Sequence, residues 1–159
     1  ALLLSLILPS LAPAAETAPA DIERQVAAIT GSDQATVVHF WASWCSNCKA
    51  EHANGGWRKF GEENPDVKVV FVSIWGSADD DHELLARYGL TPLPNFVALR
   101  HPNQSRKRAD KVARFLDLPV SWIPTTWIFK GGRLRYALNY GEIRFPILTQ
   151  LVQDAAKSW

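Results

Sequence analysis

Phe40-Trp41-Ala42-Ser43-Trp44-Cys45-Ser46-Asn47-Cys48 decides how this chain is read. Its two cysteines are the only ones in 159 residues, and two residues separate them. An apolar run, Val37-Val38-His39-Phe40-Trp41, comes before, and a helix-compatible segment, Lys49-Ala50-Glu51-His52-Ala53-Asn54, comes after. A pair at such a strand-to-helix junction can close a small disulfide ring. It also sets Cys45 beside the unpaired N–H groups of a helix start, where the dipole favours a thiolate. A redox centre uses all of these features. A purely structural disulfide is the weaker reading, because a bridge closing so short a loop restricts the unfolded chain very little. A zinc site would need two further Cys or His ligands. His39, His82 and His101 are scattered without ligand-like spacing, and only His52 is close.

Hydrophobic residues make up 47% of the chain and the net charge is +1, so a sizeable core is possible and no polyanion partner is implied. Nothing in the sequence points to nucleic acid. Seven tryptophans are many for this length, and some can line a surface groove. Residues 1–20 differ from the rest: an apolar block, Ala1-Leu2-Leu3-Leu4-Ser5-Leu6-Ile7-Leu8, leads into an Ala- and Pro-rich stretch whose one charge is Glu16. The composition is that of the apolar region and cleavage zone of a secretory signal truncated at its basic start, or of an N-terminal membrane anchor. Ala12-Pro13-Ala14 and Ala18-Pro19-Ala20 both offer small-residue cleavage sites. The expectation is an exported bacterial protein, periplasmic or membrane-anchored, with one domain over residues 21–159. In that oxidising compartment a reductant needs a dedicated electron donor.

Beyond the cysteine pair, spacing predicts a helix over 21–29, a buried central strand over 36–41 and a second over 67–75. Asn54-Gly55-Gly56 predicts a break in the helix after Cys48. An acidic loop follows at 76–81, then a short helix over 82–88 ended by Gly89, and a short strand over 95–99. His101-Pro102-Asn103-Gln104 is read as turning into a basic helix over 105–116 with Val112, Phe115 and Leu116 inward. Its cluster Arg106, Lys107, Arg108 and Lys111 is read as a solvated face. Residues 123–129 and 134–138 flank Gly131-Gly132 as an antiparallel hairpin ended by Gly141. Pro146 opens a last helix with a stripe of Ile147, Leu148, Leu151, Val152 and Ala155.

In this order the elements and motifs resemble the thioredoxin fold and, within it, the TlpA/ResA-like periplasmic thiol-disulfide oxidoreductases. Three features carry the likeness: the stretch from Phe40 to Cys48, Glu51 three residues after the second cysteine, and Ile123-Pro124-Thr125-Thr126 ahead of a strand and Gly131-Gly132. Two positions depart from the family pattern, Ala53 in place of a proline and His39 in place of an aspartate or asparagine. The resemblance implies an α/β fold, a central mixed sheet flanked by helices. A strand and helix are inserted between the second core strand and a cis-proline segment at Pro124.

The same resemblance implies roles. Cys45 is the attacking thiol, Cys48 resolves the mixed disulfide, and Pro124 brings its segment against them. Ile123 offers backbone to an extended substrate, with Thr125 and Trp44 beside it. Glu51 and His39 are candidates for moving the Cys48 proton, with a packed core histidine the simpler reading of His39. His52 and Lys49 are read as surface residues. No cofactor is implied; the partners are protein thiols and disulfides and a membrane electron donor. The expected activity is thiol-disulfide exchange on exported proteins, as a reductant of the cytochrome c maturation or copper-site assembly type. The alternatives are a net oxidase, a copper(I)-handling module using the cysteines and His52, and an interaction domain with an inert disulfide.

Overall fold

The computed structural model describes residues 18–76, 81–138 and 142–158. The segment read as a signal or anchor lies outside them up to residue 17. So do most of the acidic loop and Gly141. Helix α1, Pro19–Thr30, starts with a proline in its first turn, and the Asp21 carboxylate accepts the Ala18 N–H at 3.2 Å. Strand β1, Thr36–Trp41, is buried at every position and lies at the centre of the sheet. It runs parallel to β2, Lys68–Ser73, and antiparallel to β6, Thr125–Lys130. Covered on both faces, β1 and β2 read as continuous apolar runs rather than alternating ones.

The five-stranded sheet has the order β3-β2-β1-β6-β7. Strand β3, Phe96–Arg100, pairs parallel to β2, and helix α4, Asp81–Arg87, precedes it. Both lie between the second core strand and Pro124, where the resemblance implies an added strand and helix. Strand β7, Arg133–Leu138, returns from β6 through Gly131 and Gly132, both at positive φ (56° and 73°), as a two-residue hairpin turn requires. Helix α5, Phe145–Ala156, has Pro146 in its first turn and packs on β6, β7 and α3.

The break after the second cysteine is present. Helix α2, Ser46–Ala53, stops at Asn54, and α3, Gly56–Glu63, begins after Gly55 at φ +76°. The Asn54 side chain accepts the Gly56 N–H at 2.8 Å and so satisfies one of the free N–H groups at the new start. Gly56 is also a packing requirement, since a Cβ there would lie 2.0 Å from the Phe145 ring.

The basic helix over 105–116 is not formed. Residues 101–113 are turns and bends, and β4, Arg114–Phe115, pairs antiparallel with β5, Leu118–Pro119. Side chains take the backbone groups a helix would use. Asn103 accepts from the Ser105 N–H and donates to the Asp110 carbonyl, Ser105 accepts the Lys107 N–H, and the Trp75 indole donates to the Val112 carbonyl at 2.8 Å. Leu116 and Asp117 turn the chain at φ 49° and 58°, and Glu23 of α1 accepts the Leu116 N–H at 3.0 Å. Val112 and Phe115 are buried as their spacing suggested, but from extended chain.

Candidate active site

Cys45 follows β1 by a single turn, its N–H donating to the Ala42 carbonyl at 3.1 Å, and it is the N-cap of α2. The Cys48 N–H donates to Cys45 Sγ at 3.3 Å, so the sulfur occupies the place an oxygen cap would take. Ser46 and Asn47 are exposed and leave that contact to Cys48. The two cysteines form a disulfide with Cα atoms 5.3 Å apart. Cys45 is 7% exposed and Cys48 0%, so an approaching sulfur meets Cys45 first.

The Ile123-Pro124 peptide bond is cis. Ile123 lines the same groove as Cys45, a cavity of about 380 Å³ walled also by Trp44, Trp75, Arg106 and Lys111. Trp122, at its rim, is 51% exposed and Trp44 43%. The Trp44 indole is held by the Trp75 carbonyl. Thr125 is buried, its hydroxyl donating to the Trp122 carbonyl at 2.8 Å, so it shapes the segment from within. Of the residues singled out in sequence, Trp44, Cys45 and Ile123 share one surface. Thr125 and Glu51 sit behind it.

Beneath the disulfide lies a buried cluster of titratable groups. Cys48, Glu51 and His52 form the buried face of α2, and the i, i+3 spacing makes Glu51 the helix neighbour of Cys48. Glu51 Oε1 accepts the Trp57 indole N–H at 3.0 Å, and His39 Nδ1 lies 3.9 Å from the same oxygen. Burial raises the Glu51 pKa to about 8; the Trp57 indole and the Ile143 backbone oppose the rise, and Glu142 adds to it. Burial also holds His39 well below its ordinary value, with His52 contributing, and lowers His52 to about 3. At neutral pH both imidazoles are therefore neutral and Glu51 is mostly protonated, so the His39–Glu51 contact is not an ion pair. His39 Nδ1 and the Thr126 hydroxyl are 2.9 Å apart, which makes His39 a packed core histidine with one side-chain bond.

His52 contradicts its reading as a surface residue. It is 0% exposed, edge-on to Trp41 at 4.8 Å and to Phe71 at 5.5 Å, and 6.2 Å from Tyr88. A histidine in an otherwise polar helix gives no apolar signal to reveal this. Lys49 is exposed as expected. Two further features escaped the sequence, Trp57 as the partner of Glu51 and the placement of Arg106 and Lys111 on the groove. Each joins residues of different elements, which only the fold brings together.

A family model described as a thioredoxin-like domain matches residues 22–156. The thioredoxin of Mycoplasma genitalium is 30% identical over 86 residues, 54% of this chain and 78% of that protein. Among solved structures, a secreted Mycobacterium tuberculosis disulfide oxidoreductase homologous to Escherichia coli DsbE superposes with a TM-score of 0.59 at 20% identity, covering 79% of this chain and 85% of that one. A putative thiol:disulfide interchange protein DsbE from Chlorobium tepidum gives 0.57 at 18% identity, over 82% and 85%.

Proposed function

The chain belongs to the thioredoxin-like domain family and is a thiol-disulfide oxidoreductase; from that premise we propose that it works outside the cytoplasm as a reductant of protein disulfides. The observation that carries the reading is a single one. The accessible sulfur of the pair caps a helix N-terminus in the groove lined by Ile123 of the cis-proline segment.

In the reduced protein the helix start favours the Cys45 thiolate. That thiolate attacks one sulfur of a client disulfide, forming the Cys45–client bond and releasing the other client sulfur as thiolate. Cys48 then loses its proton and attacks Cys45 Sγ. The mixed disulfide breaks, the second client thiolate leaves, and the Cys45–Cys48 disulfide forms. Two electrons pass from the protein to the client, and a donor dithiol restores them through the same steps in reverse. Ile123 pairs its backbone with the extended client chain, Trp44 bears against its side chains, and Thr125 and Pro124 hold that segment in place. Glu51 has a pKa of about 8, close to that of an ordinary thiol, so its carboxylate form, the minor one at neutral pH, takes the Cys48 proton at little cost.

Export is supported by the apolar, Ala- and Pro-rich start of the chain and by the secreted M. tuberculosis protein of the same fold. The likeness of residues 40–51 to TlpA/ResA-like proteins favours a reducing role of the cytochrome c maturation or copper-site assembly type. A membrane-bound dithiol donor would sustain it. Purified Cys48→Ala protein, reacted with a client disulfide, should accumulate a mixed disulfide through Cys45. The parent protein should reduce insulin, and its potential should lie near or below roughly −200 mV. A potential well above that value makes the protein a net oxidase. An inert Cys45 with no trapped adduct ends the reading.

A further inference from the structure

Four basic residues, Arg106, Lys107, Arg108 and Lys111, read in sequence as a solvated face, yet two of them belong to the groove of Cys45. The Arg106 guanidinium carbon lies 4.1 Å from the centroid of the Trp44 ring, and Lys111 Nζ lies 4.2 Å from that of Trp75. Both cations thus lie over the aromatic walls of the cavity. Among the described residues neither forms an ion pair, and no acidic side chain lines the groove.

Resting on the thiol-exchange reading above, we propose that this groove selects client segments carrying a carboxylate next to the reacting cysteine, with a bulky apolar residue nearby. A guanidinium or ammonium lying over a ring uses one face for the aromatic contact and keeps its remaining N–H donors for an incoming acceptor. A carboxylate entering the groove meets two cations, with no competing anion among the described residues that line it, in a partly enclosed site where solvent screens less than at an open surface. Trp44 and Trp122 supply exposed aromatic area for the apolar neighbour, whereas a lysine in place of the acid would face two like charges. Arg106 and Lys111 are therefore specificity residues, acting on which client docks rather than on the sulfur chemistry.

Three peptide disulfides test this, identical except for Glu, Gln or Lys beside the cysteine, each releasing a chromogenic thiol on reduction by the reduced full-length protein. The expected kcat/KM order is Glu, Gln, Lys, with a Glu-to-Lys ratio of roughly tenfold at low salt that shrinks toward one in 1 M salt. In the Arg106→Gln/Lys111→Gln protein the low-salt ratio should fall toward one. A parent ratio of one, or a ratio that the double substitution leaves as it was, overturns the proposal. The salt series in the parent protein tests the same charge preference without any substitution, and a ratio indifferent to salt overturns it equally. Should the folded, reduced parent act on none of the three peptides, the thiol-exchange reading itself fails and this proposal falls with it.

Discussion

Glu51 is a carboxyl group placed where its charge has almost no solvent. Its pKa of about 8, against 4.5 when exposed, comes chiefly from burial. Between those values the unfolded chain releases a proton that the folded chain retains, so stability falls as pH rises from about 4.5 and levels off above about 8. The steepest loss is about 1.4 kcal/mol per pH unit. Glu51→Gln keeps an acceptor for Trp57 and removes the titration. In urea titrations of the oxidised proteins, the variant should therefore gain on the parent steadily from pH 5 to 8 and then hold its advantage. A constant difference across that range would show that Glu51 ionises as an exposed carboxyl does. The buried imidazoles act with the opposite sign. His39 and His52 resist protonation in the fold, so their share of stability is intact above the unfolded value of 6.5 and drains away below it. The cysteine pair was legible in sequence because two cysteines at that spacing before a helix have few other uses. The burial of His52 was not, because a polar side chain shows its environment only through neighbours such as Trp41 and Phe71, distant in the chain.

Helices α3 and α5 meet at a contact that a single atom would disturb. Gly56 opens α3 directly beneath Phe145, the first residue of α5, and the Phe145 ring also packs edge-on to Trp57 with centroids 5.3 Å apart. Gly56→Ala places a methyl group within the ring, so the ring or the helix must move. A cost of about 1–3 kcal/mol is expected, lowering the Tm of a chain this size by several degrees. An unaltered Tm would mean that Phe145 swings aside freely. Trp57 donates to Glu51, so the same substitution should also weaken the bond that positions that carboxyl. At this scale the sequence was read well where one local signal dominated, as at Asn54-Gly55-Gly56 or Gly131-Gly132. It misled over residues 105–116, where Val112, Phe115 and Leu116 fit a helical face. Val112 and Phe115 are instead buried from extended chain leading into a hairpin held to α1 through Glu23, and no local pattern encodes that tie.

Across the whole molecule, the direction of electron flow and the stability of the fold are one quantity seen from two sides. Oxidation and folding close a thermodynamic cycle. If the folded protein has a lower reduction potential than the same two cysteines in the unfolded chain, the disulfide stabilises the fold by the corresponding free energy. For this two-electron couple each 30 mV corresponds to about 1.4 kcal/mol. The environment around the pair bears on both states. The N-cap position favours a Cys45 thiolate and so the reduced form, whereas Cys48 is wholly buried next to a Glu51 that is mostly neutral at pH 7, where a second thiolate gains little. A reductant requires the second influence to prevail. The oxidised protein should therefore unfold at higher denaturant than the dithiol form at pH 7, with the gap in unfolding free energy matching the difference in potential between folded and unfolded chains. Parallel guanidinium titrations of the two redox forms, alongside a glutathione-equilibrium potential, measure both sides of the cycle independently. If the dithiol form proves the more stable, the folded protein gains by giving its disulfide away, and its work is to oxidise clients rather than to reduce them.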